Sequence, residues 1–222
     1  MRRPFPDGRP PSIRDFIAFE EHIRNARGAR GLDVPAAWYR VPAFYFSNPG
    51  AVYRDGEEIP KPADTAALDY ELELACVIGA DGTPEGFTIM NDFSARDLQG
   101  LEMQIGLGPA KGKDFATSIG PWLVTPDELP YDGEWLDLPA TVTVNDRPVA
   151  RCESQPMFFS WPQLVAQAAA NTRLRPGDVL GSGTLGGGCL LELGPIDGHW
   201  LEPGDVVSVW GQGLGELRAE IT

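Results

Sequence analysis

Two glutamates stand two residues apart in the segment DYELELACVIG, and Asp92 follows about twenty residues later in IMNDFSARDLQG. In a β-strand, Glu71 and Glu73 would point to one face, roughly 6.5 to 7 Å apart. Three apolar side chains would then take the core-facing side: Tyr70, Leu72 and Leu74. Such a strand is usually half exposed to solvent. Asp92 changes that interpretation, because it ends a second, apolar segment where an unpaired carboxylate is costly to bury. A divalent cation would neutralise all three carboxylates.

The chain has two histidines, which excludes a histidine-rich zinc site and leaves His22 and His199 for acid-base chemistry. His199 lies in the predicted turn PIDGHW. Asp15 precedes His22 by seven residues, which on a helix is nearly two full turns and places both side chains on one face. An ordinary exposed helix face is the alternative interpretation of that pair.

The segment GSGTLG, which begins at Gly181, matches the dinucleotide-binding fingerprint, and Glu202 follows about twenty residues later. A nucleotide-binding loop must open a helix, whereas this sequence continues as GGGCLLELGP, which predicts glycines followed by a strand. We therefore reject a dinucleotide site and expect these glycines to let the backbone pass close to a bound ligand.

Composition limits the possible functions. The 222 residues are 42% hydrophobic and 23% charged, enough for one substantial core. A formal net charge of -14 argues against nucleic acid and anionic membranes as partners and favours cation binding. No apolar run approaches the roughly 20 residues of a membrane span, and the start MRRPFPDGRPPS does not resemble a signal peptide, so we expect a cytoplasmic protein. The three cysteines are expected to be free thiols: Cys76, Cys152 and Cys189.

The pattern of the chain predicts one α+β domain over residues 12–222, preceded by an extended arm over 1–11. Ser12 is expected to cap a helix that carries an apolar stripe and ends in the arginine-rich stretch before Gly31: Ile13, Phe16, Ile17 and Ile23. A strand over 40–46, a turn over 47–50 and a polar loop over 54–66 follow. Ser94 is expected to cap a helix through SARDLQGLEMQ, before the glycine-rich loop GLGPAKGKDF.

The second half is predicted to be rich in strands. TVTVNDRPVA indicates two strands around a tight turn. WPQLVAQAAANT indicates a helix with Pro162 in its first turn. PGDV occurs twice, at Pro176 and Pro203, and each copy indicates a turn that leads into a strand.

Four blocks, in the order DYELELACVIG, MNDFSARDLQ, GPAKGKDFATSIGPW and GSGTLGGGCLLELG, resemble the fumarylacetoacetate hydrolase family. The resemblance covers residues 12–222 and implies the family's mixed β-sandwich or roll with short peripheral helices. It also implies a metal site with these ligands: Asp15, Glu71, Glu73 and Asp92. The early block DFIAFEEH implies that His22 is the catalytic base, and CLLELG implies that Glu192 is its partner. The groups implied to stabilise an oxyanion and hold the substrate are Arg96, Gln99 and Lys113, and further substrate contacts are implied for Tyr45 and Thr184.

A site of carboxylate oxygens suits hard cations, Mg²⁺ first, with Ca²⁺ or Mn²⁺ as alternatives. Arg96 and Lys113 would offset the remaining negative charge and attract an anionic substrate. The resemblance therefore implies metal-dependent hydrolysis of a carbon-carbon bond in a 1,3-diketo acid similar to fumarylacetoacetate or an acylpyruvate, with water activated by His22 and Glu192. No organic cofactor is expected.

The sequence also departs from the family pattern. The tyrosine-pathway hydrolase has an additional N-terminal domain, the tryptophan usual after the Asn-Asp pair is Phe93, and the distal substrate contacts have no obvious counterpart. The family also contains isomerases, hydratases and decarboxylases, which supply an alternative function, although the presence of both His22 and Glu192 favours hydrolysis. A non-catalytic protein that binds Ca²⁺ or a metabolite is an alternative of another class.

Family members usually form homodimers through the β-rich domain, so we expect a homodimer. Three tryptophans are candidates for burial at its interface, with the ordinary core as the alternative: Trp122, Trp161 and Trp210.

Overall fold

The structure is a computed structural model and describes residues 1–28 and 31–222. Within these residues the strands, in chain order, are β1 (Arg2–Pro4), β2 (Ile13–Phe16), β3 (Phe44–Ser47), β4 (Val52–Tyr53), β5 (Glu58–Ile59), β6 (Leu68–Asp69), β7 (Glu71–Ile78), β8 (Pro84–Asp92), β9 (Ser94–Ala95), β10 (Thr117–Ile119), β11 (Trp122–Val124), β12 (Pro139–Val144), β13 (Arg147–Glu153), β14 (Val179–Cys189), β15 (Val206–Gly211) and β16 (Gly215–Ile221). The helices are α1 (Glu20–Gly28), α2 (Arg96–Ile105), α3 (Trp161–Ala169) and α4 (Leu190–Leu193), with 3₁₀ turns at Pro49–Ala51 and Pro126–Glu128.

The larger sheet has the strand order β1-β11-β8-β7-β14-β2-β3, and β10 joins it beside β8 and β4. At its centre, β7 is antiparallel to both β8 and β14. The neighbouring β2 is parallel to β14 and antiparallel to β3. All eight residues of β7 are buried, so this strand is covered on both faces.

The smaller sheet has the order β13-β12-β15-β16-β5. Apolar side chains from both sheets, such as Leu72, Ile89, Val142 and Leu217, belong to one continuous hydrophobic cluster. The two sheets therefore pack against each other as a mixed β-sandwich, with the short helices at its periphery. This confirms the predicted α+β fold class.

Several predicted elements are confirmed. The hairpin β12-β13 turns at Asn145 and Asp146, which both have positive φ angles, as a two-residue hairpin turn requires. Helix α3 begins at Trp161 with a capping box between Ser160 and Gln163. Both PGDV segments are turns that lead into strands, β14 and β15.

Other predictions were wrong. Residues Ile13–Phe16 form strand β2 rather than the start of a helix, and α1 begins only at Glu20. The spacing of the apolar residues fits a helix, but pairing of β2 with β14 and β3 decides the conformation. The arginine-rich end predicted for this helix includes residues 29 and 30, which lie outside the described residues. Helix α2 begins after Ala95 without a side-chain cap, because Ser94 lies in strand β9.

Residues Leu190–Leu193 form the short helix α4 instead of the predicted strand. The strand predicted over 40–46 is limited to Phe44–Ser47, and the predicted loop over 54–66 contains β5.

The predicted arm pairs with the larger sheet, since β1 is antiparallel to β11. Its separation at residue 11 from a domain over 12–222 stays a prediction.

All three cysteines are free and buried. Trp161 is fully buried in the core, whereas Trp210 is 39% exposed. The homodimer also stays a prediction, which sedimentation of the purified chain would check. Among the described residues, no helix is both long and apolar enough to cross a membrane.

Candidate metal centre and active site

The centre of the larger sheet positions four carboxylates: Asp15, Glu71, Glu73 and Asp92. Glu71 and Glu73 lie on the same face of β7, and Asp92 ends β8 beside it. Asp15 comes from β2, which β14 separates from β7. All four are buried, with exposed fractions of 4% or less. We call these residues the acidic cluster.

Glycine in β14 makes the convergence of these carboxylates possible. Gly181 lies opposite Asp15 in the sheet. A Cβ atom at Gly181 would lie 2.5 Å from Oδ1 of Asp15 and 3.0 Å from Oε2 of Glu73, too close for a real side chain. The sequence predicts glycines for close approach of the backbone to a ligand. The structure shows that this glycine admits two carboxylates.

One oxygen from each member of the acidic cluster can be chosen so that all four lie within 4.8 Å of one another. Two buried oxygens, Asp15 Oδ1 and Glu73 Oε1, have no hydrogen-bond partner among the described residues. Buried polar atoms are normally paired, so two unpaired carboxylate oxygens in the cluster fit a site for a group of opposite charge. The structure thus brings together all four predicted ligands, and their ligand role stays a proposal.

The ionisation behaviour of the cluster is uneven. Burial and the charge of Asp92 raise the pKa of Asp15 to about 8. Burial and the neighbouring Asp15 raise the pKa of Glu73 well above its usual range. Burial also opposes ionisation of Glu71, but two neighbouring cations hold its pKa below the usual value. Without a bound cation, the cluster therefore retains protons on the side farthest from the basic residues.

The two cations are Lys113 and Arg96. Lys113 Nζ donates to Glu71 Oε2, and to Asp92 Oδ2 at 2.6 Å. Arg96 forms ion pairs with Glu71 Oε1 and Asp69 Oδ2, both at 2.7 Å. Asp69 shares Arg96 with the acidic cluster, so five buried carboxylates are faced by two buried basic residues, and three formal negative charges are left when all groups are ionised. A dication would offset two of them.

The predicted base and its partner also meet, although they come from distant parts of the chain. His22 on α1 has Nδ1 2.6 Å from Oε1 of Glu192 on α4, and both side chains are buried. The hydrogen bond with His22 lowers the pKa of Glu192 against the opposing effect of burial, so Glu192 is an anionic acceptor. The bond therefore holds the proton on Nδ1 and leaves Nε2 free to accept one. The prediction that Asp15 and His22 share a helix face was wrong, since Asp15 lies on a strand.

A cavity of about 280 Å³ connects these groups, close to the lower limit of small-molecule sites. Its polar lining comprises Asp15, His22, Tyr45, Glu71, Glu73, Gln99, Lys113 and Thr184. Thr184 lies opposite Glu73 in the sheet, and Tyr45 donates a hydrogen bond to Asp92. Gln99 accepts from Arg96 at 3.1 Å. Of the predicted site residues, Arg96, Asp92 and Glu192 lie behind the lining and contact residues within it.

Two supporting residues were missed by the sequence analysis. Asp69 accepts from the backbone N–H groups of Leu190 and Leu191, at 2.8 and 2.9 Å, and so joins the start of α4 to Arg96. Asn25 donates to Oε2 of Glu192 at 2.8 Å. Asp69 stands directly before the Tyr-Glu-Leu-Glu segment, which was a usable signal. Asn25 gave no signal, because its partner is far away in sequence.

The chain is a β-sandwich domain whose cavity holds an acidic cluster beside a histidine-glutamate pair. This arrangement is typical of enzymes that act on small molecules. The model of the C-terminal domain of fumarylacetoacetate hydrolase matches residues 12–222, and the chain belongs to this family. The family predicted from the four sequence blocks is confirmed.

Fumarylacetoacetase of Arabidopsis thaliana is 31% identical to this chain over 242 residues, which cover 81% of this chain and 57% of that protein. The chain thus matches less than two thirds of the length of this curated relative. The structure of 5-carboxymethyl-2-hydroxymuconate delta-isomerase from Mycobacterium smegmatis is similar with a TM-score of 0.71 and 28% identity, covering 95% of this chain and 76% of that one.

Fumarylpyruvate hydrolase from Pseudomonas aeruginosa, solved with Mn²⁺ and pyruvate, has a TM-score of 0.73 and 22% identity, with 98% of both chains covered. At that identity the likeness concerns the fold. The proteins similar to this chain therefore include both hydrolases and an isomerase.

Proposed function

We propose that this protein is a divalent-cation-dependent hydrolase that cleaves a carbon-carbon bond in a 1,3-diketo acid similar to fumarylacetoacetate or an acylpyruvate. The observation that carries the proposal is the hydrogen bond of 2.6 Å between His22 and Glu192, next to the acidic cluster in one cavity. Hydrolysis needs an activated water, and a histidine with a carboxylate partner is the usual means of activating one.

The acidic cluster fits a hard dication by its donor set, its unpaired oxygens and its charge. Its four carboxylates would hold Mg²⁺ or Mn²⁺, with Ca²⁺ as an alternative, because such cations prefer oxygen ligands. When bound, the cation would polarise the oxygens of the diketo acid and stabilise the enolate that forms on bond cleavage. The exclusively oxygen donor set argues against a thiolate-type zinc site.

The residues of the chain supply the remaining chemistry. His22 accepts a proton from water at Nε2 while Glu192 holds its other nitrogen. The resulting hydroxide adds to one ketone carbon, and the bond from that carbon to the central methylene breaks. The electron pair leaves with the methylene carbon, which takes up a proton, so the products are a carboxylic acid and an oxo acid. The oxo acid is a 2-oxo acid from an acylpyruvate and a 3-oxo acid from a compound similar to fumarylacetoacetate. Lys113 and Gln99, with Arg96 behind them, would stabilise the oxyanion.

The test is a mass-spectrometric assay of acylpyruvates with Mg²⁺ or Mn²⁺ on the His22→Asn variant. We expect turnover to fall about 10²- to 10⁴-fold, because the positioned base is lost. Cation affinity measured by calorimetry should be preserved, since His22 is outside the acidic cluster. His199→Asn is the matched control: His199 is exposed and should be dispensable. Undiminished turnover in the His22→Asn variant would refute the assigned base.

The isomerase similarity supports a second candidate function, in which the same site moves a proton along a dienoate or removes a carboxyl group as carbon dioxide. The isomerase structure that is 28% identical to this chain and covers 95% of it supports this alternative. An isomerase consumes its substrate without forming a second acid, and a decarboxylase releases carbon dioxide. Analysis of the products in the same assay distinguishes both from hydrolysis.

A further inference from the structure

The cavity has two ends of different character. The inner end consists of buried ionisable groups: Asp15, His22, Glu71, Glu73 and Lys113. The opening is lined by apolar residues, which we call the mouth: Ile17, Ala43, Phe44, Met103 and Pro109. Met103 is 50% exposed, and the other mouth residues are half-buried or exposed. Two neutral polar residues, Tyr45 and Gln99, also line the cavity and are half-buried. Among the described residues, the more exposed part of the lining is therefore mainly apolar and contains no cationic side chain.

Within residues 1–28 and 31–222, the basic side chains that line the cavity are His22 and Lys113. Both lie at the inner end, where Lys113 donates to two carboxylates and His22 is bonded to Glu192. The proposed function uses both groups on the diketo acid and its water, so neither is left to pair with a second carboxylate.

A third basic residue lies near the mouth but does not line it. Arg14 is next to Asp15 in β2, and its guanidinium lies 5.9 Å from the ring centroid of Phe44. Its Nη1 atom is 2.6 Å from Ser12 Oγ and 3.6 Å from Asp178 Oδ2. The Arg14 side chain is only 7% exposed. Arg14 is therefore a buried structural residue that forms an ion pair with Asp178, and it is not an anion-binding group.

We propose that the part of the substrate beyond the diketo acid is an apolar alkyl or aryl group, and that a second carboxylate is selected against. This inference rests on the proposed function and names the substrate class of the same site. Binding of an apolar tail removes apolar surface of both the tail and the mouth from water, which is favourable. A terminal carboxylate would lose water in the mouth without gaining a cation, which is costly.

A matched pair of substrates tests the proposal. Butanoylpyruvate and succinylpyruvate have the same carbon skeleton and differ only in a terminal methyl or carboxylate. In the cleavage of butanoylpyruvate, water adds to the carbonyl carbon that bears the propyl chain. The bond from this carbon to the methylene breaks, and its electron pair and a proton complete pyruvate, with butanoate as the other product. We expect kcat/KM for butanoylpyruvate to exceed that for succinylpyruvate by about 10- to 200-fold, the range typical of apolar discrimination.

The Met103→Lys variant places a cation at the mouth on an exposed helix position and should be tolerated by the fold. The preference for butanoylpyruvate should fall by at least about tenfold, because the lysine pairs with the terminal carboxylate. The matched control is Ile105→Lys, which adds the same charge to the same helix. Ile105 is 80% exposed and does not line the cavity, so the wild-type preference should be kept.

Binding of both compounds to the cation-loaded protein, measured by calorimetry, separates this inference from the proposed function. If butanoylpyruvate binds more tightly but neither compound is cleaved, the hydrolase proposal fails and the tail preference stands. If succinylpyruvate is bound or cleaved as well as butanoylpyruvate, the tail preference is overturned. If neither compound binds, both proposals are overturned.

Discussion

The two sheets of the sandwich differ in the residues that they bury. In the smaller sheet, buried residues alternate with more exposed ones along β12 and β16, and Ser208 is the one buried polar residue among the described residues of its strands. In the larger sheet, β2, β7 and β8 bury four carboxylates. The smaller sheet buries mainly apolar residues, whereas the larger sheet also buries ionisable ones.

The difference shows where function opposes stability. Like charges in a buried cluster raise the free energy of the metal-free fold, as the raised pKa values of Asp15 and Glu73 indicate. No packing requirement explains such groups, because apolar residues of similar size stabilise an interior better. Substitutions in the smaller sheet should therefore act on stability, and substitutions in the acidic cluster should act on binding and turnover.

The largest expected effect on stability comes from the smaller sheet. Leu217 in β16 is 2% exposed and lies in the shared core. Leu217→Ala should lower the free energy of unfolding by about 2–5 kcal/mol through lost burial and a residual cavity. That corresponds to a fall in Tm of roughly 4–20 °C for a chain of this size. Calorimetry gives Tm, and turnover per folded molecule should be nearly unchanged.

The control for Leu217→Ala is Glu220→Ala, at an exposed position of the same strand, which should stay within about 0.5 kcal/mol of wild type. A loss of turnover in folded Leu217→Ala protein would show that the smaller sheet also shapes the site, and would break the comparison.

Glu73→Gln should produce the opposite profile. The substitution keeps the size of the side chain but removes an anionic ligand, so cation affinity should fall by more than the about 10- to 100-fold typical of outer-shell partners, and turnover should fall with it. Tm of the metal-free protein should not fall, because burial and Asp15 raise the pKa of Glu73 and so favour its neutral form, which glutamine resembles. Titration calorimetry and thermal unfolding check the two parts. An unchanged cation requirement would contradict the ligand assignment.

The smaller sheet was predictable because its signals are local. Asn145 and Asp146 favour the positive φ angles of a tight turn, and the flanking segments alternate in polarity. The pair Glu71 and Glu73 was also a local signal, since a strand period of two residues places both on one face. What sequence could not show is that this face is buried, with Glu71 4% and Glu73 1% exposed.

Non-local pairing explains the errors. Residues from Ile13 to Phe16 have helical spacing of apolar groups, but hydrogen bonds to β14 and β3 outweigh that weak preference. Leu190–Leu193 became a helix because Asp69, more than a hundred residues earlier, accepts its first N–H groups. These errors did not separate the predicted site residues, because Asp15 and His22 line one cavity although they lie on different elements. The roles assigned to them stay predictions.

The smallest expected effect is the pH dependence of the stability that a bound cation adds. The raised pKa of Asp15, about 8 in the fold against an ordinary value of 3.8, means that the metal-free fold binds a proton that the unfolded chain releases above about pH 4. This contribution to stability is fully present below the unfolded pKa and is lost as pH rises through about 8. A bound dication replaces the proton, so its stabilising effect should increase with pH.

With Mg²⁺ or Mn²⁺ at about 100 times its Kd, stability should rise by about 2.7 kcal/mol near pH 8, a Tm increase of roughly 5–10 °C. The increase should be smaller near pH 6 at the same cation concentration, because protons compete for the carboxylates. Glu73→Gln should reduce the increase at both pH values, whereas Glu220→Ala should leave it intact. A Tm increase that is the same near pH 6 and pH 8, or one that persists in Glu73→Gln, would place the bound cation outside the acidic cluster.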